Sequence, residues 1–598
     1  MVCIEDKNGT GVMADKRKRM LVALILLTLF GIALFTYKSR QIKLGVNDEN
    51  EISILLTSEE KTEVVNPWYD EEENIYYFFL PSFADSNYLY LDFMVGKKIT
   101  INGKDINWYD RFEWQEKTIY ELCSTNWFGE KGVYDVVFMR SQNLPAVFIK
   151  TQSGSMDYIN NNKDIEEKGL MDVILADGCI DYCGKINKIS GRGNSTWLCN
   201  KKPYSITLPD EVPLCGMNKN NKWKLMALAL EGSKMNNRLI YDMAEYMGLE
   251  YTTDATWIDL YLNGEYNGTY MLNENITVDA EHSKTQQKAD FLLEKDNMWS
   301  SGDDVKGVKT TLNNCFVIRE PQQISAEEEK FICEYIQMLE DLIIDGNGEY
   351  KQYLDLDSLA KKVLIDEISL NIDADFTSAY YYMDGYDGLL HAGPVWDYDM
   401  SLGEYNVWDY RAGYVTDYTA MTDDYVNSMS GWSWSSLLYQ DGEFQERLQN
   451  CYENLLPYMQ DILSFRIDEY ATWIAASVDM DNTRWKVLDM GYPGHYTSWN
   501  DNVRYVKFFL AKRLNYLNSL WNISYAEFPI PTNGMMHEVT FVKDGKIVEV
   551  QQIMDGDCII DTPYLGDEYL CWLYEYEGEP YRKTIPVYED VTIWAFPK

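Results

Sequence analysis

Between residues 371 and 403 the chain carries a run of oxygen-bearing side chains, Asp373, Asp375, Ser378, Asp397, Asp399 and Ser401. The stretch between them alternates as two strands, 379–383 and 389–396, about an Asp-Gly-Tyr-Asp-Gly turn at 384–388. Folded as a hairpin, the turn leaves Asp373 and Asp397 at comparable distances along opposite arms. Paired strands lie about 4.8 Å apart, so the two carboxylates can converge at the open end. Enzymes that transfer phosphoryl groups in the manner of kinases need such a pair. One aspartate meets the acceptor hydroxyl, and another, after a hairpin, holds a metal on the phosphates. Two other readings stay open. Acidic residues are abundant here, and Asp397-x-Asp399-x-Ser401 also looks like the opening of a calcium loop, although its glycine stands at position seven and no glutamate at position twelve.

A second group could meet phosphates. Gly191-Arg192-Gly193 opens a tight turn with exposed amides, without the third glycine of a dinucleotide loop or the Lys-Ser ending of a phosphate loop. Lys202 follows at the start of an alternating strand, 201–208. A lysine there can neutralise phosphate oxygens or simply face solvent, and Arg192 can add charge or decorate the loop. Glu245, on a helix expected over 233–247 with Ser233 as its cap, could orient Lys202, and Asp242 is equally able.

These residues need a scaffold. Residues 52–139 alternate in short runs bounded by Asn, Gly and Asp, as in the strands of a small sandwich. From 144 the pattern mixes strands and helices, with strands at 201–208 and 222–230 and a hairpin turning at Asn263-Gly264. Helical spacing dominates after Ala326. A β-rich half followed by a helical half predicts an α+β, two-lobed domain over 144–525, after a β-rich accessory domain over 46–143. A Pro- and Gly-bearing linker, 529–534, leads to a last β-rich block, 535–598, with strands about an Asp544-Gly545 turn.

The 598 residues are too many for one core. Acidic residues outnumber basic ones 95 to 53, a net charge of −42 that repels nucleic acid and leaves any phosphate chemistry to a local site. A basic tail, 1–19, ends in Lys16-Arg17-Lys18-Arg19, and an apolar run, 20–37, follows it. At 1.5 Å per residue that run spans roughly 27 Å, enough to cross a bilayer. The flanking charge predicts an amino terminus inside and the C-terminal bulk outside or at the cell surface. A cleaved signal peptide is the alternative, but no small-x-small cleavage site follows cleanly, so the expectation is an uncleaved single-pass signal anchor. The eleven cysteines lack the spacing of a disulfide framework, and the four histidines stand apart, which argues against a zinc site.

The run GRGNSTW at 191–197, KKPYSITL at 201–208, KWKLMALALEGSKMNNRLIYDMAEYMGL at 222–249, LYLNGEYNGTYML at 260–272 and PVWDYDMSLG at 394–403 resemble, in order and composition, the CotH-type spore-coat kinase family. That resemblance implies a divergent protein-kinase-like fold that uses ATP with Mg²⁺ or Mn²⁺ to phosphorylate Ser or Thr of exported, spore-coat or cell-surface proteins. It puts Asp373 at the catalytic aspartate, Asp397 at the metal-binding aspartate and Lys202 at the lysine that pairs nucleotide phosphates. Gly191, Arg192, Gly193 and Glu245 then belong to the nucleotide side. Family members often have asparagine five residues after the catalytic aspartate. Here Ser378 stands there, a poorer metal ligand that Asp399 could supplement. A catalytically weak, kinase-like surface scaffold or adhesion protein is the alternative. The last 60 residues or so resemble the β-grasp-like repeat of internalin-type B-repeat proteins, with Trp572 as the expected core aromatic.

Overall fold

The computed structural model describes residues 52–598, except for 59–60, 94–97, 109, 126–130, 281, 298–304, 372, 385–387, 404–432, 487–497 and, in the last block, 532–535, 555–558, 560–561, 567, 575–586 and 588–589. The basic tail and apolar run fall outside the described residues, as do the centre of the 384–388 turn and His495. Among the described residues no helix is long and apolar enough to cross a membrane. The chain is mixed α and β, with several sheets, one closed barrel and fewer helices than strands among the described residues.

The chain divides into two units, one holding residues up to 141, 146–186 and 259–267, the other 142–145, 187–258 and 268–598. In the first, one sheet of four strands and one of six form where side chains alternate. In Tyr88–Phe93 every second residue, Leu89, Leu91 and Phe93, is buried. Phe112 of the four-stranded sheet packs on Phe138 of the six-stranded one at 5.7 Å, so the two sheets share an aromatic core. Asn263 and Gly264 both take positive φ, the tight turn expected between Ala255–Leu262 and Glu265–Glu274. The barrel runs in the order Ala146–Thr151, Glu167–Ile174, Ile180–Gly191, Tyr204–Val212, Asn220–Met226, Glu265–Glu274, Ala255–Leu262.

In the second unit the helices Asn236–Tyr246, Ala326–Asp345, Leu356–Ser369, Gly442–Asp461, Ile467–Arg484 and Trp499–Leu520 enclose one continuous apolar core. Ala326–Asp345 is the best-marked helix. Ser325 and Glu328 form a reciprocal capping box, and Gly346 ends the helix in the left-handed conformation. A five-stranded sheet contains the hairpin Ala379–Met383 and Leu390–Ala392. The second arm is shorter than the expected 389–396: the N–H of Gly393 (φ 118°) still donates to the Tyr380 carbonyl at 2.8 Å, and Pro394, which lacks an N–H, then ends the ladder. The strand expected over 222–230 is Asn220–Met226, and the one expected from 201 begins at Tyr204.

The last block is a four-stranded sheet with Lys546–Met554 and Tyr569–Leu573 at its edges. Asp544 and Gly545 turn its first hairpin at positive φ. Trp572 is buried and meets Phe541 edge-on at 5.1 Å.

Candidate active site

Three consecutive strands build one cationic face. Pairing sets Lys188 opposite Thr207 and Thr207 opposite Lys222 in one row, and Ser190 opposite Ser205 and Ser205 opposite Lys224 in the next. Residues two apart share a face, so Lys188, Ser190, Lys222 and Lys224 line up together, while Ile189, Ile206, Trp223 and Leu225 point into the core. The Lys224 ammonium donates to the Ser205 hydroxyl at 3.1 Å. Burial, with the cations Arg192, Lys222 and Lys188 as its charged neighbours, holds this ammonium down at about 7. A site that so disfavours a lone ammonium suits a bound polyanion.

Arg192 stands at the end of this face. Gly191 pairs with Tyr204, and Gly193 (φ 84°) closes the turn, where a Cβ would lie 2.3 Å from the Thr196 hydroxyl. The Arg192 guanidinium donates to the Met226 sulfur and lies 5.7 Å from the centre of the Trp396 ring. Its charge reaches Asp399.

Asp373 and Asp397 interact through their charges, although both lie outside the paired strands of the hairpin, Asp373 in the turn before Ala379–Met383 and Asp397 beyond Pro394. Asp373 lies four residues past the helix Leu356–Ser369, its N–H donated to the Asn371 side chain at 3.1 Å. Burial and the Asp397 charge push its carboxyl up to about 7. The Ser378 hydroxyl donates to Asp397 Oδ2 at 3.2 Å, and Asp397 itself takes φ 67°. Asp399 is raised well above the ordinary range by burial and by Asp397, Glu231 and Asp373, with Arg192 offsetting part of this. Such left-handed backbone in a non-glycine residue is held only where surroundings over-determine it, as at functional sites.

A buried set of carboxylates short of positive charge fits a hard dication. Among the described residues no three His, Cys, Asp or Glu side chains form a ready cage. Mg²⁺ takes one or two carboxylates and fills its octahedron with water and phosphate oxygens. The calcium-loop reading fits less well, since the Ser401 hydroxyl is buried and spent on the Tyr398 carbonyl at 2.6 Å.

Two expected partners on the nucleotide side are otherwise engaged or exposed, although the Lys202 charge, like that of Asp399, reaches Cys199. The Lys202 ammonium donates to the Trp197 carbonyl at 2.7 Å, over the Trp197 ring. Glu245 is exposed, because the buried face of its helix runs through Leu239, Ile240, Met243 and Ala244. Asp242 pairs with Arg238 at 2.7 Å and accepts the Tyr470 hydroxyl. The expected capping by Ser233 is also replaced. Met235 is the N-cap, and Glu231 takes the Asn236 N–H at 3.0 Å. Sequence reasoning missed Lys224 and Glu231. The Lys222-x-Lys224 alternation was the available signal for the first.

The family model described as CotH kinase protein matches residues 189–517, more than half of the chain. The chain belongs to the CotH kinase family. It is therefore kinase-like, and Lys222, Lys224, Arg192 and the carboxylates lie within the span that the CotH kinase model matches, while Lys188 precedes it by one residue. No curated protein matches the chain.

Proposed function

We propose that the chain is an extracytoplasmic, atypical protein kinase with a two-lobed, kinase-like domain, which transfers the γ-phosphoryl of ATP to Ser or Thr of an exported or cell-surface protein. The observation that carries this reading is the place of Arg192 at the end of the cationic strands, where its charge acts on both Lys224 and the buried Asp399. Lys224, Lys222 and Lys188 receive the phosphates, with Gly191 and Gly193 permitting close approach. Asp397, Ser378 and Asp399 would hold Mg²⁺ or Mn²⁺, which when bound neutralises charge on the phosphate oxygens. Asp373 accepts the proton as the acceptor oxygen bonds to the γ-phosphorus. The bond from that phosphorus to the β–γ bridging oxygen breaks, and ADP leaves. The apolar run 20–37 anchors the protein, and the block 535–598 is a B-repeat-like surface module. Ser378 in place of asparagine favours the weaker second reading, a kinase-like scaffold.

The test is transfer of label from γ-labelled ATP by the full chain with Mn²⁺ or Mg²⁺, to itself or to exported proteins. Binding of nucleotide without any transfer would favour the scaffold.

Lys224 supplies a sharper expectation. A charged hydrogen bond contributes about 1.5–3 kcal/mol, so Lys224→Met should raise the Kd for ATP about 10- to 100-fold. In the free protein Lys224 is mostly neutral at pH 8, since it is held down at about 7. Bound phosphate favours the ammonium and raises it again, so ATP binding at pH 8 should take up a proton and weaken as pH rises above 7. Calorimetry in buffers of different ionisation enthalpy reads that uptake. Equal uptake in Lys224→Met would reject the assignment.

A further inference from the structure

The loop that carries Asp397 has little regular structure to hold it. Asp397, Leu402 and Gly403 all take positive φ, and the peptide groups between them belong to no strand or helix. Each buried peptide group there still needs a partner. Two asparagines at the start of the helix Asn236–Tyr246 supply several. Asn237 Oδ1 accepts the Tyr398 N–H at 2.9 Å. Asn236 Nδ2 donates to the carbonyls of Ser401 at 2.9 Å and Asp399 at 3.3 Å.

Both amides are 0% exposed, and both are held from behind. Asn237 Nδ2 donates to Glu231 Oε1, Glu231 Oε2 accepts the Asn236 N–H, and the Ser233 hydroxyl donates to Asn236 Oδ1 at 3.0 Å. The Glu231 carboxylate also sits at the positive end of the helix, where a negative charge is favoured. With these bonds the Asn237 oxygen is fixed toward Tyr398 and the Asn236 nitrogen toward Ser401.

We propose that Asn236 and Asn237, locked by Glu231, are positioning residues that set the Asp397–Ser401 loop for the divalent cation. This rests on the metal assignment above. None of the three is placed against the metal; they act through the loop that bears its ligands. Groups that orient metal ligands typically change affinity by about 10- to 100-fold when removed.

The test compares Asn237→Leu with Leu448→Ala, a core truncation on the helix Gly442–Asp461, both in the full chain. Two signals are followed: Mn²⁺ affinity of the nucleotide-free protein by electron paramagnetic resonance, and amide exchange of the 396–402 peptide. Asn237→Leu should weaken Mn²⁺ about 10-fold or more and speed exchange at Tyr398, with other core peptides still protected. Leu448→Ala should lower the melting temperature yet leave Mn²⁺ affinity unchanged. Glu231→Gln, which keeps one acceptor, should fall between wild type and Asn237→Leu. Wild-type exchange in the 396–402 peptide of Asn237→Leu overturns the proposal, and so does equal loss of Mn²⁺ in Leu448→Ala. If wild type binds no Mn²⁺, the metal assignment fails, and the exchange result alone then decides whether these asparagines position the loop.

Discussion

Asp397→Ala is expected to abolish Mg²⁺- or Mn²⁺-dependent turnover of ATP, by about 10³-fold or more, while the protein remains folded. The magnitude follows from the several kcal/mol that a metal supplies to phosphoryl transfer, at 1.36 kcal/mol per decade of rate. Two opposing effects act on the fold. Removing the Asp397 charge relieves the carboxylates beside it, since that charge helps raise both Asp373 and Asp399. Against this, alanine at φ 67° is strained by roughly 1–2 kcal/mol, and asparagine tolerates that backbone better. Asp397→Asn should therefore lose turnover as fully as Asp397→Ala and melt at a higher temperature. The Ser378 hydroxyl, which donates to Asp397, has lost only a charge-assisted acceptor in the asparagine variant. Unchanged metal-dependent turnover in either variant would remove Asp397 from the site.

Alternation about a turn pointed to Asp373 and Asp397 as neighbours, and their charges do interact. Both lie beyond the paired strands, however, so the spacing of those strands is not what sets their approach. The Asn263-Gly264 and Asp544-Gly545 turns were legible as residue types that accept positive φ. What escaped depends on register and on helical phase. Lys224 becomes a phosphate candidate only once Ser205 is known to stand between it and Ser190, and pairing across three strands is not written in any one of them. Glu245 looked available because it follows Lys202 on a neighbouring element, yet the apolar face of its helix turns it outward. Ser233 is a good capping residue by type, but buried Glu231 and Met235 occupy the helix start. Buried polar residues such as Asn236 and Asn237 carry no periodic signal of their own role. They read as ordinary helix surface until the carbonyls they meet are placed.

The second large expectation separates the acceptor side from the nucleotide side. Asp373→Asn should lower phosphoryl transfer about 10²- to 10⁴-fold, the range for a positioned general base, with ATP affinity changed little. The reasoning is electrostatic. Asp373 meets the Asp397 charge but precedes the first strand of the hairpin while Asp397 follows the second, so it can face an acceptor hydroxyl without sharing the metal. Its carboxyl, pushed up to about 7 by burial and then by Asp397, lies where a base exchanges protons readily near neutrality. Asparagine keeps its size and removes the proton acceptor. Lys224→Met should show the converse pattern, weaker ATP binding with less effect on the rate at saturation, because its contact is made in the ground state as well as the transition state. Lys202→Ala is the third arm. Its ammonium must leave the Trp197 carbonyl to reach a phosphate, so a loss of ATP affinity as large as that of Lys224→Met would place it on the nucleotide after all. One titration with ATP and one single-turnover rate for each variant resolve the three. Should Asp373→Asn lose nucleotide as badly as Lys224→Met, a metal or structural role would replace its role as base.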